Sequence, residues 1–217
     1  MFANIVLGDE INRASPKTQS ALLEVMEERR VTVDGTPHEV PSPFIVIATQ
    51  SPVDMDGTYA LPEAQIDRFL MRLQIGYPDH DAEVQVLADD QAGRRVDDLQ
   101  AVMTVAEVRE LVQAARRMYV ADSIHSYIVR IVSRTRELPD VRLGASPRAS
   151  LALLRAARAR TAMQGRDYVT PEDAKQLAVP VLAHRIILTP EAELRGATGA
   201  DVVRQSVDSV AVPQALG

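Results

Sequence analysis

Two short runs, residues 4–8 and 44–49, are almost uniformly apolar and rich in β-branched side chains. Runs of this kind belong to strands covered on both faces of a parallel sheet, so they predict an α/β layer. Between them Ser15-Pro16 marks a helix start, with Ser as N-cap and Pro at the first helical position, and Leu22, Val25, Met26 and Arg29 continue at helical spacing. That helix is expected to end near Arg30. The stretch "RRVTVDGTPHEVPSPF" then alternates around Asp34-Gly35, which predicts a projecting hairpin at 31–43 whose prolines discourage a place in a central strand. A further segment, "FLMRLQIGY", alternates as a strand should over 70–76 and closes at Tyr77-Pro78.

Beyond Pro78 every periodic segment repeats at helical spacing: Val105, Val108, Leu111, Val112; then Ile124, Ile128, Ile131, Val132; then Ala174, Leu177, Ala178, Val181. Start signals accompany them, namely Thr104 with Glu107 as a capping box, Ser146-Pro147 and Thr170-Pro171, and Gly165 is placed to end the helix that Ser146 opens. The pattern divides the chain into an α/β part at 1–77 and an all-helical part at 78–200. The last stretch, "GATGADVVRQSVDSVAVPQALG", which includes Gly199, mixes Gly, Ser and Pro without a firm period, so 201–217 is expected to be a loosely docked tail.

Charge and composition remove several function classes. The 217 residues carry a formal net charge of -6, so no global footprint for nucleic acid exists and an anionic membrane would repel the chain. Cysteine is absent and the four histidines, His38, His80, His125 and His184, lie too far apart for a local ligand motif, which argues against a zinc site. No apolar run is long enough to span a membrane, and Met1 leads directly into a strand pattern, so the expected compartment is the cytoplasm, with no membrane insertion.

The chemistry centres on Asp9 and Glu10, which end the first apolar run. Adjacent carboxylates repel each other and are costly to desolvate unless a cation or proton compensates. At the carboxyl end of a parallel strand, where open α/β sheets bind ligands, Asp9 could hold a hydrated Mg²⁺ while Glu10 polarises a water. The same residues read equally well as acids closing a strand in solvent.

Taken together, "LGDEINRASPKTQSALLEVMEERRVTVDG", "IATQSP", "GTYALPEAQIDRFL" and "GASPRAS" resemble the MoxR family of AAA+ ATPases, through the α/β part and into the helical part. The resemblance implies an incomplete AAA+ P-loop NTPase core, its parallel sheet lacking the N-terminal strands, followed by an all-α lid. It implies ATP and Mg²⁺ as ligands, Asp9 as the metal residue and Glu10 as the catalytic base of a Walker B motif, and a pre-sensor-1 insertion in the hairpin. Ser51 falls where the family's sensor 1 usually has Asn; a serine hydroxyl can still hydrogen-bond but lacks the amide's separate donor and acceptor. Arg68 resembles the arginine finger that reaches a neighbour's γ-phosphate; by itself it reads as an ion pair with Glu63 or Asp67. Arg148 lies in the first turn of its helix, where the macrodipole disfavours a cation, which points to an external anion. The family reading makes it sensor 2, often proposed to act across the subunit interface.

No G-x-x-x-x-G-K-[ST] occurs, so the loop that cradles the β- and γ-phosphates is expected upstream, with Met1 an internal position of a longer reading frame. The resemblance further implies a self-assembled ring, with a hexamer expected, that remodels protein clients, von Willebrand A domain proteins among them. A non-catalytic docking fragment is the competing reading. A DNA translocase is disfavoured, because the hairpin segment "VTVDGTPHEV" has two acids and neither Lys nor Arg.

Overall fold

The computed structural model describes residues 3–33, 35–50 and 61–213; Ser51 lies outside the described residues. Strand β1 (Ile5–Gly8) leads through a 3-10 turn at Ile11–Arg13 into α1 (Pro16–Glu28), then into the hairpin of β2 (Arg30–Val33) and β3 (Thr36–Glu39), and returns as β4 (Ile45–Ala48). The α1 start is the expected one, since Ser15 Oγ accepts from the Thr18 N–H at 3.3 Å. β1 and β4 pair in parallel with Ile5 opposite Ile45 and Gly8 opposite Ala48. Their inward face, Val6, Val46 and Ala48, packs on a small core of Ile11, Leu22, Leu23, Val25, Val40, Phe44 and Leu61. The other face, Ile5, Leu7, Ile45 and Ile47, is 50–66% exposed, so among the described residues these two-sided apolar strands are covered on one side only.

After a short helix α2 (Glu63–Ile66), the segment predicted as a third strand joins no described strand: residues 71–79 have no regular structure. Leu73 is 69% exposed, and Ile75 and Tyr77 are fully so. Alternation writes a strand only where a neighbouring strand meets its N–H and C=O groups in a ladder, and here the Arg72 N–H instead donates to the Pro180 carbonyl of a helix at 2.8 Å.

The helical part consists of α3 (His80–Gln91), α4 (Val105–Arg116), α5 (Asp122–Arg134), the short β5 (Val141–Leu143), α6 (Pro147–Met163), α7 (Pro171–Leu182), β6 (Ile187–Leu188), α8 (Pro190–Leu194) and α9 (Gly199–Ser209). Its core is well filled. Ile124, Tyr127, Ile128, Ile131 and Val132 of α5 meet Ala149, Ala152, Leu153, Ala156 and Ala157 of α6 and Ala174, Ala178 and Val181 of α7. The alanine face of α6 lets its neighbours approach closely, and capping boxes close the N-termini of α4, α7 and α9.

The loosely docked tail is corrected over its first half: α9 is an ordered helix that buries Val202, Val203 and Ser206. Gly199, which reads as a loop residue, is a packing requirement, because a Cβ there would lie 2.4 Å from the Ala183 carbonyl oxygen. Among the described residues no helix is long and apolar enough to cross a membrane.

Candidate active site

The two acids stand at the carboxyl end of the parallel pair. Past β4, the Thr49 N–H donates to the Gly8 carbonyl at 3.0 Å and the Thr49 carbonyl accepts from the Ile11 N–H at 3.0 Å, so the ladder continues into the turn that follows β1. The Thr49 hydroxyl donates to Asp9 Oδ1 at 2.6 Å and accepts from the Glu10 N–H at 2.8 Å. One hydroxyl thus aims the first carboxylate and fixes the backbone of the second. Glu10 has φ 45° and ψ 54°, a left-handed conformation that is uncommon outside glycine and persists where surrounding bonds over-determine it. Its carboxylate lies 3.2 Å from Arg13. Gln19, 2% exposed, donates from Nε2 to the Ile11 and Ala14 carbonyls and ties the turn to the first half of α1.

The donor set suits a hydrated Mg²⁺. That ion takes one or two carboxylates together with water and phosphate oxygens, and Asp9 offers a solvent-exposed carboxylate with one oxygen already oriented. Among the described residues no three His, Cys, Asp or Glu side chains gather into a self-sufficient metal site, so a cation at Asp9 would depend on ligand oxygens.

The arginines meet elsewhere. Arg68 Nη1 lies 3.1 Å from Glu27 Oε2 and donates to the Leu23 carbonyl at 3.3 Å, while Arg148 Nη2 donates to Glu27 Oε1 at 2.6 Å. Neither Glu63 nor Asp67 pairs with Arg68: Glu63 binds Arg142 and Asp67 binds Arg185. The anion expected beside Arg148 is, in this chain, the carboxylate of Glu27. Glu27 lies eight residues beyond Gln19 on α1, about 12 Å of helical rise, so the acids and the arginines occupy opposite ends of that helix. An open groove of about 330 Å³ flanks Arg68, but Glu24, Glu27 and Glu28 line it, which makes it a poor nucleotide pocket by itself.

The segment that carries Arg68 is gripped by the helical part. Arg185, whose side chain is 2% exposed and which lies in the 3-10 turn Ala183–Arg185 after α7, donates to the Asp67 carboxylate, to the Asp67 and Phe69 carbonyls and back to the Val181 carbonyl of α7. Ser146 begins α6 but spends its hydroxyl on Asp67 rather than on a cap. His184 Nε2 meets the Phe69 carbonyl at 3.2 Å, and burial together with the Arg185 charge pushes its pKa down to about 4, so the ring is neutral and donates through Nε2–H. Arg68 therefore follows a residue anchored to α6 and to the turn after α7.

Sequence reasoning names Asp9, Glu10, Arg68 and Arg148 as candidates, and it does not reach Thr49, Glu27 or the Asp67–Arg185 pair that contact them or their neighbours. A hydroxyl directly after an apolar strand was a usable signal for Thr49. For Glu27 the signal was an acid in the last turn of a helix, where the macrodipole disfavours it.

Comparison with known proteins agrees with this geometry in both halves. Residues 1–71 match the ATPase family associated with various cellular activities (AAA), and residues 133–206 match the AAA lid domain. The chain is 47% identical over 213 residues to the uncharacterized protein YeaC of Bacillus subtilis, covering 98% of this chain and 67% of that protein. It is 40% identical over 223 residues to Chaperone MoxR1 of Mycobacterium tuberculosis, covering 99% of this chain and 59% of that protein. A crystal structure of a candidate ATPase from Cytophaga hutchinsonii superposes with a TM-score of 0.93 at 37% identity, over 98% of this chain and 67% of that one. The chain thus spans 59–67% of the length of these relatives. An α/β layer ending in an oriented acid pair, a helical lid and matches that run through both halves establish that this chain belongs to the MoxR family of AAA+ ATPases.

Proposed function

We propose that this chain supplies the hydrolytic half of a ring-forming ATPase that remodels protein clients, with the phosphate-binding loop contributed by sequence upstream. The observation that carries this reading is the placement of the acids and the arginines at opposite ends of α1. Two groups so far apart cannot attend the same phosphate within one copy, but they can when copies pack head to tail and the Arg68 end of one faces the Asp9 end of the next.

In this reading Asp9, held by Thr49, would hold a Mg²⁺ accompanying ATP, and that ion would supply positive charge at the phosphates. Glu10, its backbone fixed by the same hydroxyl, takes a proton from the attacking water. Arg68 and Arg148 of the adjoining copy bring positive charge to the terminal phosphate, which is where negative charge must be stabilised during transfer. Ser51 and the hairpin keep the sensor and insertion roles that the resemblance implies. The relative named a chaperone supports a protein client, and von Willebrand A domain proteins stand as the partners to test first.

Glu10→Gln tests the assignment in the protein extended upstream to include the phosphate-binding loop. It should bind ATP as the parent does and lose turnover by 10² or more, since it removes the base and spares the metal residue. Equal loss of binding and turnover would make Glu10 structural. The 217-residue chain alone should show no Mg²⁺-dependent turnover.

A further inference from the structure

We propose that Glu27 is a positioning residue that assembles Arg68 and Arg148 into one two-arginine phosphate receptor. The proposal rests on reading those arginines as the groups that meet a neighbour's phosphate, and it adds a third residue that neither the motif nor the comparisons assign.

Three observations converge on Glu27. Its two carboxylate oxygens are divided between the arginines, Oε2 to Arg68 at 3.1 Å and Oε1 to Arg148 at 2.6 Å. These arginines come from different parts of the molecule, one from the turn after α2 and one from the lid helix α6, so the carboxylate is the shared point on which core and lid converge. All three side chains are also 35–47% exposed, so the cluster opens to solvent and a phosphate can reach it without unfolding anything.

The placement is also costly unless the cluster has a use. Glu27 sits in the last turn of α1, where the helix dipole opposes an acid, and Arg148 sits in the first turn of α6, where it opposes a base. Each residue is wrong for its own helix and right for the other. Local rules broken in complementary pairs are the mark of a site rather than of a solvated surface.

Without Glu27, two guanidinium groups directed at one point repel each other and separate. With it they are held at hydrogen-bonding range of a single centre, and the triad keeps one net positive charge with which to receive a phosphate oxygen. Guanidinium is suited to this task because its planar fork leaves donors directed outward after one N–H is engaged by the carboxylate. The arrangement also makes the receptor conditional on the lid: Arg148 reaches Glu27 only when α6 is docked, and Ser146 and Arg185 hold that docking through Asp67, the residue before Arg68.

The test uses the upstream-extended, ring-forming protein and compares Glu27→Gln and Glu27→Asp with Arg68→Ala and Arg148→Ala. Glu27→Gln, which keeps size and removes the charge, should lower kcat by about 10- to 100-fold while KM for ATP and the melting temperature stay near the parent values, because misplacing a catalytic group by about 1 Å costs that much. Glu27→Asp, which keeps the charge on a shorter arm, should recover part of the loss. If Glu27→Gln turns over like the parent while Arg68→Ala is inactive, the positioning role is wrong and the finger assignment survives. Full turnover in Arg68→Ala and Arg148→Ala would instead sink the underlying reading, and Glu27 with it. A fall in melting temperature that accounts for the lost activity, with no rescue by aspartate, would make Glu27 merely structural.

Discussion

The lid and the α/β half of this chain differ in how completely their apolar residues are used. In the lid, Ile131, Val132, Leu153, Val181, Leu182 and Val203 are wholly buried where α5, α6, α7 and α9 close around one another, whereas α3 and α4 bury none of their residues. In the α/β half, Ile5, Leu7, Ile45 and Ile47 lie on a sheet face left 50–66% exposed among the described residues, and Leu73, Ile75 and Tyr77 stand on a segment that pairs with no described strand. In α5, α6, α7 and α9 the apolar pattern is satisfied from within. The strand pattern is written for a wider sheet, and relatives that extend well beyond this chain are where the additional strands are to be sought.

The largest effect is expected where the two regions join. Arg185→Ala leaves the Asp67 carboxylate and two backbone carbonyls without their buried donor, and removing one partner of such a pair costs about 3–5 kcal/mol. Denaturant unfolding of the 217-residue chain should show that loss. A change near zero would mean that core and lid are not joined through this residue.

Next, the contrast itself can be broken by truncating one leucine on each side. Leu153→Ala opens a cavity in the filled lid core and should cost about 2–5 kcal/mol. Leu7→Ala, at a position 66% exposed, should change the chain by no more than about 0.5 kcal/mol, yet destabilise the upstream-extended protein markedly once its sheet face is covered. Equal, small effects of Leu7→Ala in both proteins would show that this face stays bare.

The acid limb of stability sharpens the comparison further, because the two groups with the lowest pKa values for their type sit in or against the lid. His184 falls from 6.5 to about 4 on folding, through burial and the Arg185 charge, so the unfolded chain takes up the proton first. Its contribution is complete above pH 6.5 and is lost as pH falls toward 4. Burial alone would raise the Asp173 carboxyl, but hydrogen bonds from Arg166 and from the backbone and hydroxyl of Thr170 outweigh it and bring it from 3.8 to about 2. That contribution is complete above pH 3.8 and is lost toward pH 2. Thermal melts from pH 7.5 to 2 should therefore decline in two stages. His184→Gln, which retains a donor for the Phe69 carbonyl, should flatten the first stage alone, and an unchanged profile would contradict the neutral buried ring.

What was legible in the sequence follows the range of the interaction that writes each feature. The hairpin and the capped starts of α1, α4 and α7 depend on neighbours a few residues away and stand where the pattern put them, and β1 and β4 stand there because each has the other as its partner 40 residues along the chain. The segment around Leu73 also carried a strand pattern, but strand formation needs a distant backbone, which periodicity does not report. α9 was hidden because Gly199 signals a loop locally, while its real constraint is contact with Ala183. The site divides in the same way. Asp9 and Glu10 are adjacent in sequence and announce themselves, whereas Glu27 and Arg148 are 121 residues apart and meet only after folding.

The central claim is that the acids of one copy and the arginines of another form one site, and subunit mixing tests it most directly. In the upstream-extended protein, Arg68→Ala and Glu10→Gln should each be nearly inactive, since a finger can be worth about 10³ or more in rate. After subunit exchange in an equimolar mixture, interfaces that pair an intact Glu10 with an intact Arg68 should restore a measurable fraction of parental turnover. If native mass spectrometry shows that mixed rings have formed and turnover stays at the level of the separate variants, Arg68 does not act across the interface, and the two ends of α1 do not belong to one site.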